Sequence, residues 1–465
     1  MLFSSMTFLY FFLPIVATAY FVLPFRKWRN GVLLVSSLVF YSWGEPKYLL
    51  LMLASSMTAY LCGFGIDKLR KNKMLSKAFL ILGIVLLISD LMVFKYLNFF
   101  AENIENVFNV HLGIKEIALP IGISFFTFQI LSYLIDLYRG TVALQKSFFR
   151  FTLYVSFFPQ LIAGPIVRYK TVEEEILHRK ENLLEASQGW RRFTVGLAKK
   201  VIIANNVAAV SEYIYQSSSV GTSALWLAAI CYTFQIYFDF SGYSDMAIGL
   251  GKIFGFHFLE NFDYPYMARS VTDFWRRWHI SLSSWFRDYV YIPLGGNRVG
   301  KVRLVLNILI VWTLTGFWHG AQWNFVIWGI YYAVLLIIEK LFFKKGVDSL
   351  PKLFGWIYAM FFVIIGWVIF NTTDIASLGN VLKNMFVYVK TDWQTLISSG
   401  TSVVVSVPAV LAAAIFSFPI AKKIKLRDDK FLGALVLNLL SAVLLAASII
   451  CIISSSYNPF IYFRF

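Results

Sequence analysis

Two histidines set one stretch of this chain apart. The first stands in Asp273-Phe274-Trp275-Arg276-Arg277-Trp278-His279-Ile280-Ser281, among charge and indole. The second stands in Thr315-Gly316-Phe317-Trp318-His319-Gly320-Ala321, where every neighbour is apolar, small or aromatic. Imidazole is the side chain best suited to moving a proton near neutral pH, and hydrocarbon is an expensive place to keep it. Desolvation favours the neutral ring, so a histidine there stays available as a base. His319 can then take the proton of a hydroxyl that attacks a thioester, or accept the acyl group itself. The competing reading is a ring that binds a backbone carbonyl and fixes helix packing. His279 also has two readings. With Trp275, Trp278 and Trp285 beside Arg276, Arg277 and Arg287 it suits an anchor in the headgroup plane. The hydroxyls Ser281, Ser283 and Ser284 suit a helix that lines a polar tunnel. No acid completes a zinc-type set with the two rings, so no metal is expected.

Other groups join them. Tyr237 to Asp245 places two carboxylates, Asp239 and Asp245, in an otherwise apolar segment. Such groups line a cavity or pair with a cation, for which Arg168, Arg269 and Arg276 are candidates. Gly295-Gly296-Asn297 after Pro293 reads as a turn rather than a phosphate loop. The chain closes on Tyr457-Asn458-Pro459-Phe460-Ile461-Tyr462-Phe463-Arg464-Phe465, an aromatic tail expected to dock on an apolar surface, since an undocked terminus frays.

The elements that must position these groups are membrane spans. Of 465 residues 58% are hydrophobic and only 14% are charged, against roughly a quarter in soluble proteins. Apolar runs of about 17–25 residues recur from end to end, each long enough to cross a bilayer. The net charge of +17 falls in short loops, as a positive-inside bias requires, so nucleic acid is not an expected partner and membrane lipid is. Three dispersed cysteines, Cys62, Cys231 and Cys451, offer neither a disulfide framework nor a zinc site. The first apolar segment has no basic leader and no cleavage site, and reads as a retained span.

Taken in order, Phe3–Leu23, the short Gly31–Trp43, Tyr48–Ile66, Ala78–Tyr96 and Ala118–Tyr138 read as crossings, with a loop carrying Glu102, Glu105 and Glu116 before the last. Phe148–Ile166, broken by Pro159, Gly164 and Pro165, reads as a re-entrant or interfacial element, a kinked span being the alternative. Glu173–Lys200 fits an amphipathic interfacial helix, after which Val201–Tyr215 leads outward and Ala224–Phe254 returns. Residues 257–303 sit at the cytoplasmic face. Leu304–Trp318 and Trp323–Leu341 form a hairpin with His319 near its bend, and Leu353–Phe370, Val403–Pro419 and Phe431–Ile453 complete the set. The expected fold is an all-α polytopic membrane protein of about eleven or twelve transmembrane helices. It is one membrane domain, with N-terminal spans over 1–140, a catalytic core over 147–345, C-terminal spans over 353–453 and a tail over 454–465. Loop charge puts both termini outside the cytoplasm.

At these residues the chain resembles the membrane-bound O-acyltransferase family, on its bacterial alginate O-acetyltransferase-like branch, with teichoic acid D-alanyl transferases as cousins. The resemblance runs through Pro120–Phe125, Phe158–Ile166, Asp239–Ile248, Asp273–Gly296 and Thr315–Trp328, five stretches in the family's order. It implies helices around a central tunnel, His319 as the catalytic residue and His279 as a second functional histidine. Asp239, Asp245, Trp275, Arg276, Arg277, Trp278, Ser281 and Trp318 would position substrate. It implies a bacterial inner-membrane enzyme with no bound cofactor, which takes acetyl from a cytoplasmic thioester, acetyl-CoA, for O-acetylation of a cell-surface or exported polysaccharide. Tyr462 would relay the acyl group to a separate extracytoplasmic SGNH-type transferase, AlgJ- or AlgX-like. In the D-alanyl systems a small separate peptide supplies such a tail; here it is fused. Three alternatives stand beside this reading: a transporter or flippase with no covalent step, a D-alanyl transferase, and a scaffold for an external enzyme.

Overall fold

The computed structural model describes residues 1–217, 220–343, 350–399, 404–420, 431–454 and 460. Every regular element among them is helical. Seven helices are long and apolar enough to cross a membrane, and Phe8–Val22 and Val407–Phe416 are shorter apolar ones. Other expected crossings fall on Arg26–Ser42, Ile123–Arg139 and Thr222–Ile253. The first two are short, and the third carries both carboxylates. Packing covers them: Ile123–Arg139 buries fourteen of its seventeen residues. Phe431–Ser454 behaves oppositely and buries only Ser441 and Ser448, the pattern of a helix facing lipid tails.

Two expected elements take a different form. The loop carrying Glu102 and Glu105 is helical, because Lys73–Leu91 continues through a π-helical turn at Met92–Tyr96 into Leu97–Phe108. Likewise the amphipathic helix and the outward span after it are one run, Leu183–Gln216, joined by a π-helical turn at Lys199–Ala204. No proline or glycine interrupts either junction, so the backbone absorbs the change of face by a wider turn rather than a break. The Phe148–Ile166 segment does break. Phe148–Ser156 ends at Phe157, a four-residue helix follows at Phe158–Leu161, and residues 151–167 are buried throughout, so the carbonyls freed by Pro159 are covered by protein.

The described residues group into two compact units, Met1–Phe193 with Met246–Leu259, and Thr194–Asp245 with Glu260–Phe465. The chain passes between them inside the helices Leu183–Ala198 and Thr222–Ile253 and at residue 259, with no linker. The first unit has a polar knot of its own. The buried Arg179 guanidinium donates to Tyr20 Oη, the Phe254 carbonyl and Asn30 Oδ1, while Glu181 pairs with Arg26 and Arg29. The second unit holds both histidines and is organised by close helix crossings. In its hairpin, Lys301–His319 against Trp323–Phe342, a Cβ on Gly316 would lie 2.3 Å from the Phe325 carbonyl oxygen, and one on Gly329 would lie 2.4 Å from that of Trp312. Lipid offers no hydrophobic drive between helices, so such backbone-to-backbone approach is what holds them.

Candidate functional site

The second unit contains a cavity of about 490 Å³. Its walls come from Val271–Arg277 and Ile280–Phe286, from the cavity-facing side of Lys301–His319, and from Leu336, Glu339 and Lys340. Trp275, Trp312 and Thr315 form the inner wall; Arg276, Arg287 and Lys340, all exposed, supply cations. Arg287 is matched by Asp288, and Lys340 donates to Tyr291 Oη and Asn297 Oδ1. The short helix Val271–Arg277 is pinned at its N-terminus. Ser270 Oγ accepts from Asp273 N, and the buried Glu339 carboxylate accepts from the N–H groups of Val271 and Thr272 and from Thr272 Oγ1. Carboxylates suit a helix N-terminus because unpaired N–H groups point there.

His279 lies between the two short helices with φ +45°, one of three non-glycine residues with positive φ among those described. That strain holds only where surroundings over-determine it. Asn261 does this. Its backbone carbonyl accepts from Ile280 N at 3.0 Å, and its Oδ1 accepts from Ser281 N at 3.1 Å, Ser281 Oγ at 2.8 Å and the His279 Nδ1 edge at 3.2 Å. Phe240 meets the ring edge-on at 4.7 Å and Trp318 at 5.7 Å. His279 is 1% exposed and lines the cavity, and its Nε2 has no hydrogen-bond partner among the described residues. Burial pushes its pKa down to about 3.

His319, the last residue of its helix, is surrounded by rings. Trp318 and Trp328 lie 5.0 Å from it and Phe370 5.3 Å, all near perpendicular. Thr315, one turn earlier on the same face, reaches the cavity wall, while His319 is not among the lining residues. The indole of Trp318 touches both imidazoles. Asn324, buried at the start of the next helix, donates to the Phe370 carbonyl and so fixes that wall.

The remaining sequence-flagged residues separate. Trp275 and Arg276 line the cavity. Trp278 is turned away into a stack with Phe274 and Trp367, and Arg277 pairs with Asp273 at 2.9 Å. Ser281 faces Asn261, Ser284 donates to the Ser281 carbonyl, and Ser283 is the hydroxyl that faces the cavity. Asp239 and Asp245 form ion pairs with two lysines that the sequence reading did not name. Lys200 sits 2.7 Å from Asp239 and Lys199 2.6 Å from Asp245. The crossing that brings them together is the approach of Gly242 to the Gly196 carbonyl, where a Cβ would lie at 2.7 Å. The Gly295-Gly296 turn has positive φ at both glycines and is tied to Asn307. Tyr462 lies outside the described residues. Phe460 of the same tail is buried, stacked 4.7 Å from Tyr243 with Lys200 Nζ 6.0 Å from its ring. Sequence reasoning missed Asn261 and Glu339. Neither sits in a charged or histidine-bearing motif, though Glu339 in an apolar run was a usable signal.

Apolar helices that hold two buried imidazoles, one of them on a cavity wall, are the build of a multi-pass membrane enzyme. The comparisons make the class specific: the membrane-bound O-acyltransferase family model matches residues 35–379, and the chain belongs to that family. It is an acyltransferase. A probable alginate O-acetylase, AlgI, of Pseudomonas putida is 37% identical over the whole of both chains. A peptidoglycan O-acetyltransferase of Helicobacter pylori is 35% identical over 83% of this chain and 80% of its own. A teichoic acid D-alanyltransferase of Bacillus subtilis is 29% identical over 54% of this chain and 68% of its own.

Proposed function

We propose that this membrane O-acyltransferase moves an acetyl group from cytoplasmic acetyl-CoA across the bacterial inner membrane for O-acetylation of a cell-surface or exported polysaccharide, with a separate extracytoplasmic transferase completing delivery. Both termini then lie outside. The observation that carries the reading is the cavity in which a neutral imidazole edge, an indole wall and exposed cations converge. Its size suits the pantetheine arm of a thioester, and Arg276, Arg287 and Lys340 suit the phosphates at the other end of such a donor. A thioester is already activated. The attacking hydroxyl loses its proton to imidazole as the C–O bond forms, and the proton passes to sulfur as the C–S bond breaks. His319 is assigned as base or nucleophile, with His279 at the donor wall and Tyr462 as the relay. The acetyl-transferring relatives match this chain over more of its length than the D-alanyltransferases do, which favours acetyl over D-alanyl.

The test is mass spectrometry on the protein in membranes supplied with isotopically labelled acetyl-CoA, wild type beside His319→Ala and Tyr462→Phe. Label on the C-terminal peptide of wild type, lost in both variants, is the expected result. Label on the tail without His319 removes that residue from catalysis. Acceptor acetylation with no label on the tail makes transfer direct, and absence of both refutes acetyl-CoA as donor.

A further inference from the structure

We infer that Asn261 is a positioning residue that fixes His279 as its Nδ1–H tautomer, so that the other ring nitrogen, Nε2, is left as a proton acceptor. The inference rests on the proposed acyl-transfer reading of the site and assigns a part to a residue outside every motif noted in the sequence.

The argument runs through one amide. The N–H of Ser281 is a donor and nothing else, and it points at Asn261 at 3.1 Å, so the atom it meets is the amide oxygen. The amide nitrogen, on the opposite arm, donates to Ser244 Oγ at 3.2 Å. With its orientation fixed from both sides, the oxygen can only accept, and His279 Nδ1, 3.2 Å away, must carry the ring's proton. In a neutral imidazole Nε2 is then a lone pair. His279 lines the cavity whereas Asn261 and Ser281 do not, and Nε2 is buried with no hydrogen-bond partner among the described residues. The left-handed backbone of His279 serves the same end. The Asn261 carbonyl binds Ile280 N while the side chain binds Ser281, and the ring is clamped between these two anchors.

The surrounding charges leave the tautomer to Asn261. Asp239 and Asp245 pair with Lys200 and Lys199, and Glu339 is engaged by Val271 and Thr272. Arg276, Arg287, Tyr291 and Lys340 share the cavity, and His319 lies against the Trp318 indole. Burial opposes a proton on Nε2, which keeps the acceptor vacant until a hydroxyl proton arrives. This leaves His319 the nucleophile: it takes the acyl group as the C–S bond breaks and passes its own ring proton to the departing sulfur. The hydroxyl proton goes to His279 Nε2 as the oxygen bonds to the acyl carbon and moves on to the departing His319 nitrogen as the C–N bond breaks, so that His279 returns to the state in which it began.

The experiment is the pH profile of kcat and kcat/KM for acetyl transfer by the full chain in detergent or vesicles. Asn261→Asp keeps the accepting oxygens but places an anion on Nδ1–H, which stabilises the imidazolium. The acid limb should move upward by roughly one to three units relative to wild type. Asn261→Ala should lower kcat about tenfold or more with a smaller change in KM, since the ring loses its tautomer and orientation. An Asn261→Asp enzyme that is folded and active with the wild-type profile overturns the inference. A second measurement needs no variant. Nitrogen NMR of isotope-labelled histidine should show His279 protonated at Nδ1 and bare at Nε2, and a proton on Nε2 also overturns the inference. If His279→Ala retains wild-type turnover, the reading of the site itself fails. If His279→Ala is inactive while Asn261→Asp keeps the wild-type profile, only the role of Asn261 fails.

Discussion

The two histidines pack against one indole, and different contacts hold them. His279 is fixed by hydrogen bonds: an asparagine clamps its ring and the backbone just after it, its own backbone is strained, and the residue lines a cavity. His319 is fixed by shape: it ends a transmembrane helix inside a ring of aromatic side chains, and that helix is held by glycine contacts with its neighbour. A polar clamp sets proton position and direction, which packing cannot do. Close packing excludes water and fixes location, which one amide cannot do. The sequence motif around each histidine looks alike in its richness in tryptophan. Their mechanical supports differ, and so should their sensitivity to substitution.

The largest effect expected is on chemistry. His319→Ala and His279→Ala should each lower acyl transfer by roughly 10²–10⁴-fold while the protein still folds, read as turnover per mole of purified protein. A change of tenfold or less for either would demote that residue to support. The next effect is on stability. Lys200→Met strips the cation from the buried Asp239 carboxylate, one residue before the Phe240 ring that abuts His279. It should cost about 3–5 kcal/mol by denaturation in detergent. Gly316→Val tests the other support. The added carbons meet the Phe325 backbone, and about 1–3 kcal/mol of stability should be lost along with the placement of His319. If the His279 pKa or cavity binding changed as much as the His319 environment, the two supports would not be separable. Smaller still, Glu339→Gln keeps an acceptor but removes the charge at the start of Val271–Arg277, for about 1 kcal/mol.

Acid sharpens the contrast from another side. With its folded-state pKa pushed down by burial to about 3, His279 binds its proton less readily folded than unfolded. Stability from this group is therefore present above the unfolded histidine value of about 6.5 and is lost as pH falls towards the folded one. Replacing His279 by Gln should flatten that part of the thermal stability curve. A curve unchanged by the substitution would show that the ring is not buried neutral.

Much of this molecule could be read along the chain. Apolar length and loop charge mark a polytopic helical protein, because a bilayer imposes its thickness and an unpaired backbone cannot cross it. His319 stands out because an ionisable ring in an apolar run must have some use or partner, and His279 because it sits in a cluster of charge and indole. The hairpin around His319 was legible from its two apolar runs and the short turn between them. What the chain could not show was which groups meet. Asp239 and Asp245 looked equally able to pair with any of several arginines; the choice of Lys199 and Lys200 follows from where Gly242 lets one helix cross another. Nor did spacing tell that Ser283 faces the cavity while Ser281 turns to Asn261, or that Trp275 lines it while Trp278 does not. Hydrophobic pattern is a local property and survives in one dimension. The partner of a buried polar atom depends on helix crossings and on a single strained residue, and those exist only once the chain has packed.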